Sequence, residues 1–273
     1  MTTRRLALAG IAGLSLLAGA RGAWAQAAGL DHAYAAWDTL LKKHVSWLPD
    51  GKQSRVDYKA FLADRGALKT VLAEWSAVSP AAFGAFTREQ QMAFLVNAYN
   101  GFTVELILTR YPDLKSIKDL GSLVQSAWKK KFFRLLGEDR HLDWIEHERL
   151  RPGYADWRVH AAVNCASIGC PALRPEAFVA QRLEAQLDDG MTRFMADPTR
   201  NRFSNGRAEI SAIFKWFKED FEQGHRGVRG IGDLLSRYAD QLAQTAGERE
   251  KLRAGPVTVS YLDYDWALNE LTR

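Results

Sequence analysis

Over residues 30–47 the apolar positions Tyr34, Trp37, Leu40, Leu41 and Val45 recur at helical spacing, and Pro49-Asp50-Gly51 follows as a turn. A second helix is predicted over 58–75. Residues 88–110 are apolar in nearly every direction, the mark of a helix enclosed by the rest of its domain; Thr87, with Gln90 and Gln91 behind it, supplies the start signal and Tyr111-Pro112 the stop. Short alternating runs at 132–136 and 140–142, and again at 201–203 and 207–210, flank Gly137-Glu138-Asp139 and Asn205-Gly206, which predicts two hairpins. Residues 257–261 add a strand. Helical periodicity returns over 175–195 and 231–242. Strands this few and this clustered do not support βαβ winding, so the fold class is α+β, a predominantly helical single domain with a small antiparallel sheet.

Two details of that pattern bear on chemistry. The enclosed helix carries Asn97, Tyr99, Asn100, Thr103 and Glu105. A polar group sealed in an apolar interior costs about 1–3 kcal/mol unless it finds a partner. Asn97, Gly101, Val104 and Glu105 share one side of the helix with Asn100 close by, so a polar seam runs along it. A core network tying the helix to neighbouring loops is preferred here over a substrate-binding seam. Further on, Asp143 with Glu146 three residues later reads as a capping box that opens a short helix through Leu150.

The first 25 residues stand apart. Arg4 and Arg5 precede an acid-free apolar run to Ala18, and Ala23-Trp24-Ala25 offers small residues at both positions a signal peptidase reads. Cleavage before Gln26 is expected, and with it a periplasmic or secreted location; the apolar run is shorter than the ~20 residues a bilayer core requires. Residues 26–86 then read as an N-terminal helical extension and 87–273 as the main domain. Of 273 residues, 47% are hydrophobic and 25% charged, with nine Trp, which excludes a disordered chain. Losing Arg4, Arg5 and Arg21 with the leader lowers the formal charge from +5 to +2. The one dense basic run, Lys129-Lys130-Lys131 with Arg134, reads as a solvated face, so nucleic acid is not expected as a partner.

The only two cysteines, Cys165 and Cys170, lie in the stretch from Arg158 to Pro171 that also holds His160 and Asn164. In an oxidising compartment the simplest reading is a disulfide that shapes a loop. The sharper one makes Cys165 a nucleophile. His160, five residues away, does not naturally face Cys165 on a helix or a strand, whereas His160 and Asn164 share a face. His147, beside Glu146, is then the better-placed base. No H-x-x-x-H or C-x-x-C spacing occurs, so no metal site is expected, and the glycine-rich stretch 224–232 lacks both the nucleotide-binding fingerprint and a P-loop Lys, so no cofactor is expected either.

Val96-Asn97-Ala98-Tyr99-Asn100, Tyr111-Pro112, Ile145-Glu146-His147 with Arg151, His160 through Asn164-Cys165 to Cys170-Pro171, Ile213-Phe214-Lys215-Trp216-Phe217 before Asp220-Phe221, and Asp265-Trp266 fall in an order that resembles the domain of unknown function 547 family. The resemblance runs from about Thr87 to Trp266 and carries no activity with it. It singles out Asn97, Asn100, Glu146, His147, His160, Asn164, Cys165 and Cys170. Ala161 stands where family members often carry an aromatic, and Gly169 where they often have Ser.

Two functions follow as expectations. One is a cell-envelope module that grips a small molecule or peptide through Asn97, Asn100 and Arg151, with Cys165 and Cys170 bonded to each other. The other is a thiol-dependent hydrolase or transferase acting on an amide or ester, in which Cys165 attacks, His147 takes the proton, Glu146 orients the His, and Asn164 or Asn97 donates to the oxyanion.

Overall fold

A computed structural model describes residues 29–122 and 124–272, so the expected leader lies outside the described residues. The first helix is α1 (Ala35–His44), with Trp37, Leu40, Leu41 and His44 buried. It ends before its predicted limit because β1 (Val45–Trp47) pairs antiparallel with β2 (Ser54–Val56) around Gly51, whose φ of 68° suits glycine. The helix predicted over 58–75 is two helices, α2 (Tyr58–Ala63) and α3 (Arg65–Ser76). Asp64 breaks them. Its carboxylate accepts from Lys43 Nζ at 2.5 Å and sits 2.7 Å from His44 Nε2, which fastens the break to α1.

After α4 (Pro80–Gly84) comes the enclosed helix, α5 (Arg88–Leu108), buried on almost every side as expected. Thr87 Oγ1 accepts from the Gln90 amide and Gln90 Oε1 from the Thr87 amide, completing its capping box. α3 crosses it closely. A Cβ on Gly101 would stand 2.7 Å from the Trp75 ring, which is why a glycine occurs in mid-helix.

β3 (Phe133–Leu135) and β4 (Glu138–Arg140) form the first predicted hairpin. The capping box expected next is absent. Asp143 has helical backbone angles and makes no side-chain cap, and Trp144–Leu150 is a π-helix, its wide turn closed by the Arg151 amide donating to the Glu146 carbonyl. Single wide turns of this kind re-aim side chains and recur at functional sites. Glu146 accordingly points inward and is 6% exposed. α6 (Arg151–Tyr154) continues from it.

The periodicity over 175–195 yields a helix only from α7 (Leu183–Ala196). The residues before it are claimed by distant partners: the Ala177 amide donates to Asp38 Oδ1 at 2.9 Å, and Asn97 brackets Phe178, donating to its carbonyl at 2.8 Å and accepting its amide at 3.0 Å. β5 (Arg202–Ser204) and β6 (Arg207–Ser211) make the second predicted hairpin, followed by α8 (Ile213–Trp216), α9 (Ile231–Arg237), α10 (Ala239–Leu242) and α11 (Ala246–Ala254). β7 (Thr258–Leu262) pairs with β6 in parallel, so among the described residues the strands form three small sheets, one of them mixed. The fold is a predominantly helical α+β one, and Asp31–Arg273 make up one compact unit. Among the described residues no helix is long and apolar enough to cross a membrane.

Candidate functional site

The site is organised by an irregular loop, residues 162–172, that follows the short 3-10 turn Trp157–Ala161. Asparagines fix its course. Asn100 on α5 donates to the Ala162 carbonyl at 2.9 Å and accepts the Asn164 amide at 2.8 Å. Asn164 donates to the Pro171 carbonyl at 2.7 Å and accepts the Ala166 amide at 2.9 Å, bending the loop so that Ala166 adopts a left-handed φ of 62°. The segment after β7 closes over it: the Ile168 and Gly169 amides donate to the Ala267 and Asp265 carbonyls, each at 2.8 Å. A Cβ on Gly169 would meet the Tyr264 ring at 2.9 Å, so glycine there lets Tyr264 lie against the loop.

Beside this loop is a cavity of about 180 Å³. Its polar groups include Asp143 just before the π-helix, Glu146 and His147 within it, and His160. His160 Nε2 is 2.7 Å from Asp220 Oδ2, and its Nδ1 is 3.8 Å from Glu146 Oε1. Arg151 donates to both oxygens of Asp220, through Nε to Oδ2 at 2.6 Å and through a terminal nitrogen to Oδ1 at 3.0 Å. Burial pushes the Asp220 carboxyl up, but the hydrogen bonds from His160 and Arg151 outweigh it and hold the group well below the usual carboxylate range. Asp220 is therefore an acceptor and His160 Nε2 carries the hydrogen. Burial lowers the His160 pKa, so the ring is neutral with a Nδ1 lone pair on the Glu146 side.

Glu146 is buried beside Tyr99, and burial pushes its carboxyl up to about 7 although the Tyr99 hydrogen bond opposes the rise. His147 is arranged differently: its Nδ1 lies 2.7 Å from an Arg151 nitrogen, and since Arg only donates, that ring nitrogen is an acceptor. Burial also lowers the His147 pKa.

Much of the remaining lining is aromatic. Trp216 and Trp266 stack with centroids 5.6 Å apart, Tyr264 packs on Trp266 at 4.4 Å, and Trp128 meets Trp266 edge-on. Phe217 stacks on His160 at 4.0 Å and locks its ring plane. Trp216 is 48% exposed, a large apolar surface left open to solvent. Cys165 and Cys170 also line the cavity and stand at disulfide distance, their Cα atoms 6.3 Å apart. The Tyr264 hydroxyl is 3.1 Å from Cys165 Sγ.

Of the residues singled out in the sequence, Glu146, His147, His160, Cys165 and Cys170 line this one cavity. Arg151 stands behind it. Asn97, Asn100 and Asn164 lie outside its lining, with their amides engaged by backbone as a core network. Glu146 borders His160 and Tyr99, while the polar contacts of His147 are with Arg151 and Asp143. Sequence reasoning missed the part of Asp220 and of Tyr264. Neither has a local signal, because Asp220 meets His160 across 60 residues and Tyr264 meets Cys165 across 99.

No curated protein and no solved structure matches the chain. A family model described as protein of unknown function, DUF547, matches residues 83–195. That stretch contains the imidazoles, Glu146 and both sulfurs, whereas Asp220 and most of the aromatic lining come from residues beyond it. Residues 83–195 are thus similar to the DUF547 family.

Proposed function

We propose that this chain is an exported ligand-binding module whose cleft holds a small molecule or the end of a peptide. The observation that carries the reading is the convergence of Asp143, Glu146, His147 and His160 on a cavity that is also lined by the packed rings of Trp216, Tyr264 and Trp266. An apolar surface for a flat or hydrocarbon group, opposed by a few fixed polar groups that orient it, is the usual make-up of a small-ligand site. Export is supported by the leader pattern in residues 1–25 and by the paired sulfurs, which persist in oxidising compartments. A fragment screen read by ligand-observed NMR tests the binding reading. Fragments that join an aromatic ring to a hydrogen-bonding head should bind the protein and lose binding in Trp216→Ala. A screen whose hits bind both proteins equally overturns it.

A second reading, a thiol-dependent hydrolase or transferase, is favoured by one feature: His160, oriented by Asp220, shares the cleft with Cys165. It requires the sulfur pair to be reduced first. Ester hydrolysis by the reduced protein, lost in Cys165→Ser, is its expected signature, and hydrolysis unchanged by that substitution removes it.

A further inference from the structure

The sulfur pair does little for the fold. It spans a separation of five residues, and short loops give a crosslink the least entropic leverage. The loop is already pinned by Asn100, Asn164 and the backbone of residues 265–269. Breaking the sulfur–sulfur bond would leave those ties in place. A crosslink that adds little to loop ties already present and lines a ligand-sized cleft is placed for chemistry.

We propose that Cys165 and Cys170 form a thiol–disulfide exchange site for low-molecular-weight thiols that enter the aromatic cleft. The proposal rests on the binding reading, since the thiol must lodge in the same cavity.

The two sulfurs are unequal, and the inequality sets the direction of attack. Cys165 is half-buried, with its sulfur beside the Tyr264 hydroxyl, whereas Cys170 is 6% exposed. The Cys165 backbone amide donates to Cys170 Sγ at 3.0 Å. A backbone N–H aimed at sulfur stabilises negative charge there, and a stabilised thiolate leaves more readily. In the first step the incoming thiolate attacks Cys165 Sγ; the new sulfur–sulfur bond forms, the Cys165–Cys170 bond breaks, and its electron pair goes to Cys170. The proton lost by the small thiol ends on Cys170. The Glu146 carboxyl, held near neutrality in the same cavity, and the free Nδ1 of His160 are the groups at hand to relay it. A second small thiol attacks the mixed disulfide, which releases a symmetrical small disulfide and the protein dithiol. Two thiols are oxidised and one protein disulfide is reduced.

Reduced glutathione and glutathione disulfide serve as probes, with acid quenching and mass spectrometry of the whole chain. After incubation with glutathione disulfide, the Cys170→Ser variant should carry glutathione on Cys165. The Cys165→Ser variant should label at Cys170 by roughly tenfold or more slowly, because the buried sulfur is shielded. Equal labelling of the two variants overturns the proposal, as does a wild-type pair that stays oxidised at a glutathione excess that reduces an unstructured peptide with the same cysteine spacing. Thermal melts establish that each variant is folded. Fragment binding measured on the Cys165→Ser/Cys170→Ser double variant separates the two readings: fragments that still bind there keep the binding module even where exchange fails.

Discussion

His160 donates its Nε2 hydrogen to Asp220 Oδ2 at 2.7 Å, and Arg151 donates to that same oxygen and to Oδ1 as well. The imidazole is thereby fixed in one tautomer with its free nitrogen toward Glu146. Asp220→Asn keeps the shape but removes the charge that both donors require. Leaving a partly buried guanidinium without its carboxylate should cost about 2–3 kcal/mol in urea unfolding. The hydrogen-bonded Nε2 proton of His160 should also lose its downfield NMR resonance; a resonance that stays in place would show that Asp220 does not set the tautomer.

Glu146 gives a pH dependence of definite sign. Its folded pKa is about 7 against an ordinary value of 4.5, so the stability linked to it is complete below about pH 4.5 and is lost as pH rises through 7. Over that window the loss amounts to roughly 3 kcal/mol. Glu146→Gln cannot ionise. Its stability relative to wild type, from urea melts at pH 4 and pH 8, should improve by that order on going to the higher pH, and a constant difference would refute the buried carboxyl.

Gly169→Ala should act on the cleft more than on the fold. The added Cβ meets the Tyr264 ring at 2.9 Å and the Asp265 carbonyl at 3.0 Å, so Tyr264 must move. Because Tyr264 touches Cys165 Sγ, the expected result is a changed Tyr264 environment in near-ultraviolet circular dichroism and a changed rate of sulfur labelling. A variant identical to wild type in both would show that the ring adjusts without leaving the sulfur.

Gly101→Ala probes the packing of α5 against α3. The new methyl would press on Trp75 and Leu72, and overpacking of this kind costs about 1–3 kcal/mol, more than the helix gains from alanine. The melting temperature should fall; a rise would show that the helices separate freely.

Asn164→Ala removes three amide contacts at the base of the loop, to Pro171 and from Ala166 and Asn269. With buried backbone groups left unpaired, a loss of about 2–3 kcal/mol is expected. Faster amide exchange confined to residues 162–172 would locate it, and exchange unchanged in that loop would contradict the assigned role.

What the sequence made legible follows from locality. The capping box at Thr87, the enclosed α5 and both hairpins depend on residues a few positions apart, and periodicity and turn chemistry expose them. The asparagine seam could be recognised as needing partners, and Phe178, Ala162 and Asn164 are those partners. The misreadings are cases where distant contacts overrode local preference. Residues 175–179 have helical periodicity but spend their backbone groups on Asp38, Asn97 and Gln186. Asp143 and Glu146 have capping-box spacing, yet the wide turn of the π-helix sends Glu146 into the cleft. The site residues were visible as reactive types, but their pairing was not: Glu146 beside His160, and Asp220 behind it, exist only after folding.

The strap from Asp263 to Glu270 carries a consequence for how the cleft comes into being. Acid, imidazole and sulfur are all in place by Cys170, but Tyr264 and Trp266, and the backbone carbonyls of Asp265 and Ala267 that hold the loop, arrive more than ninety residues afterwards. During synthesis the nascent chain therefore displays its reactive groups unroofed, and the segment that encloses them is laid down only afterwards.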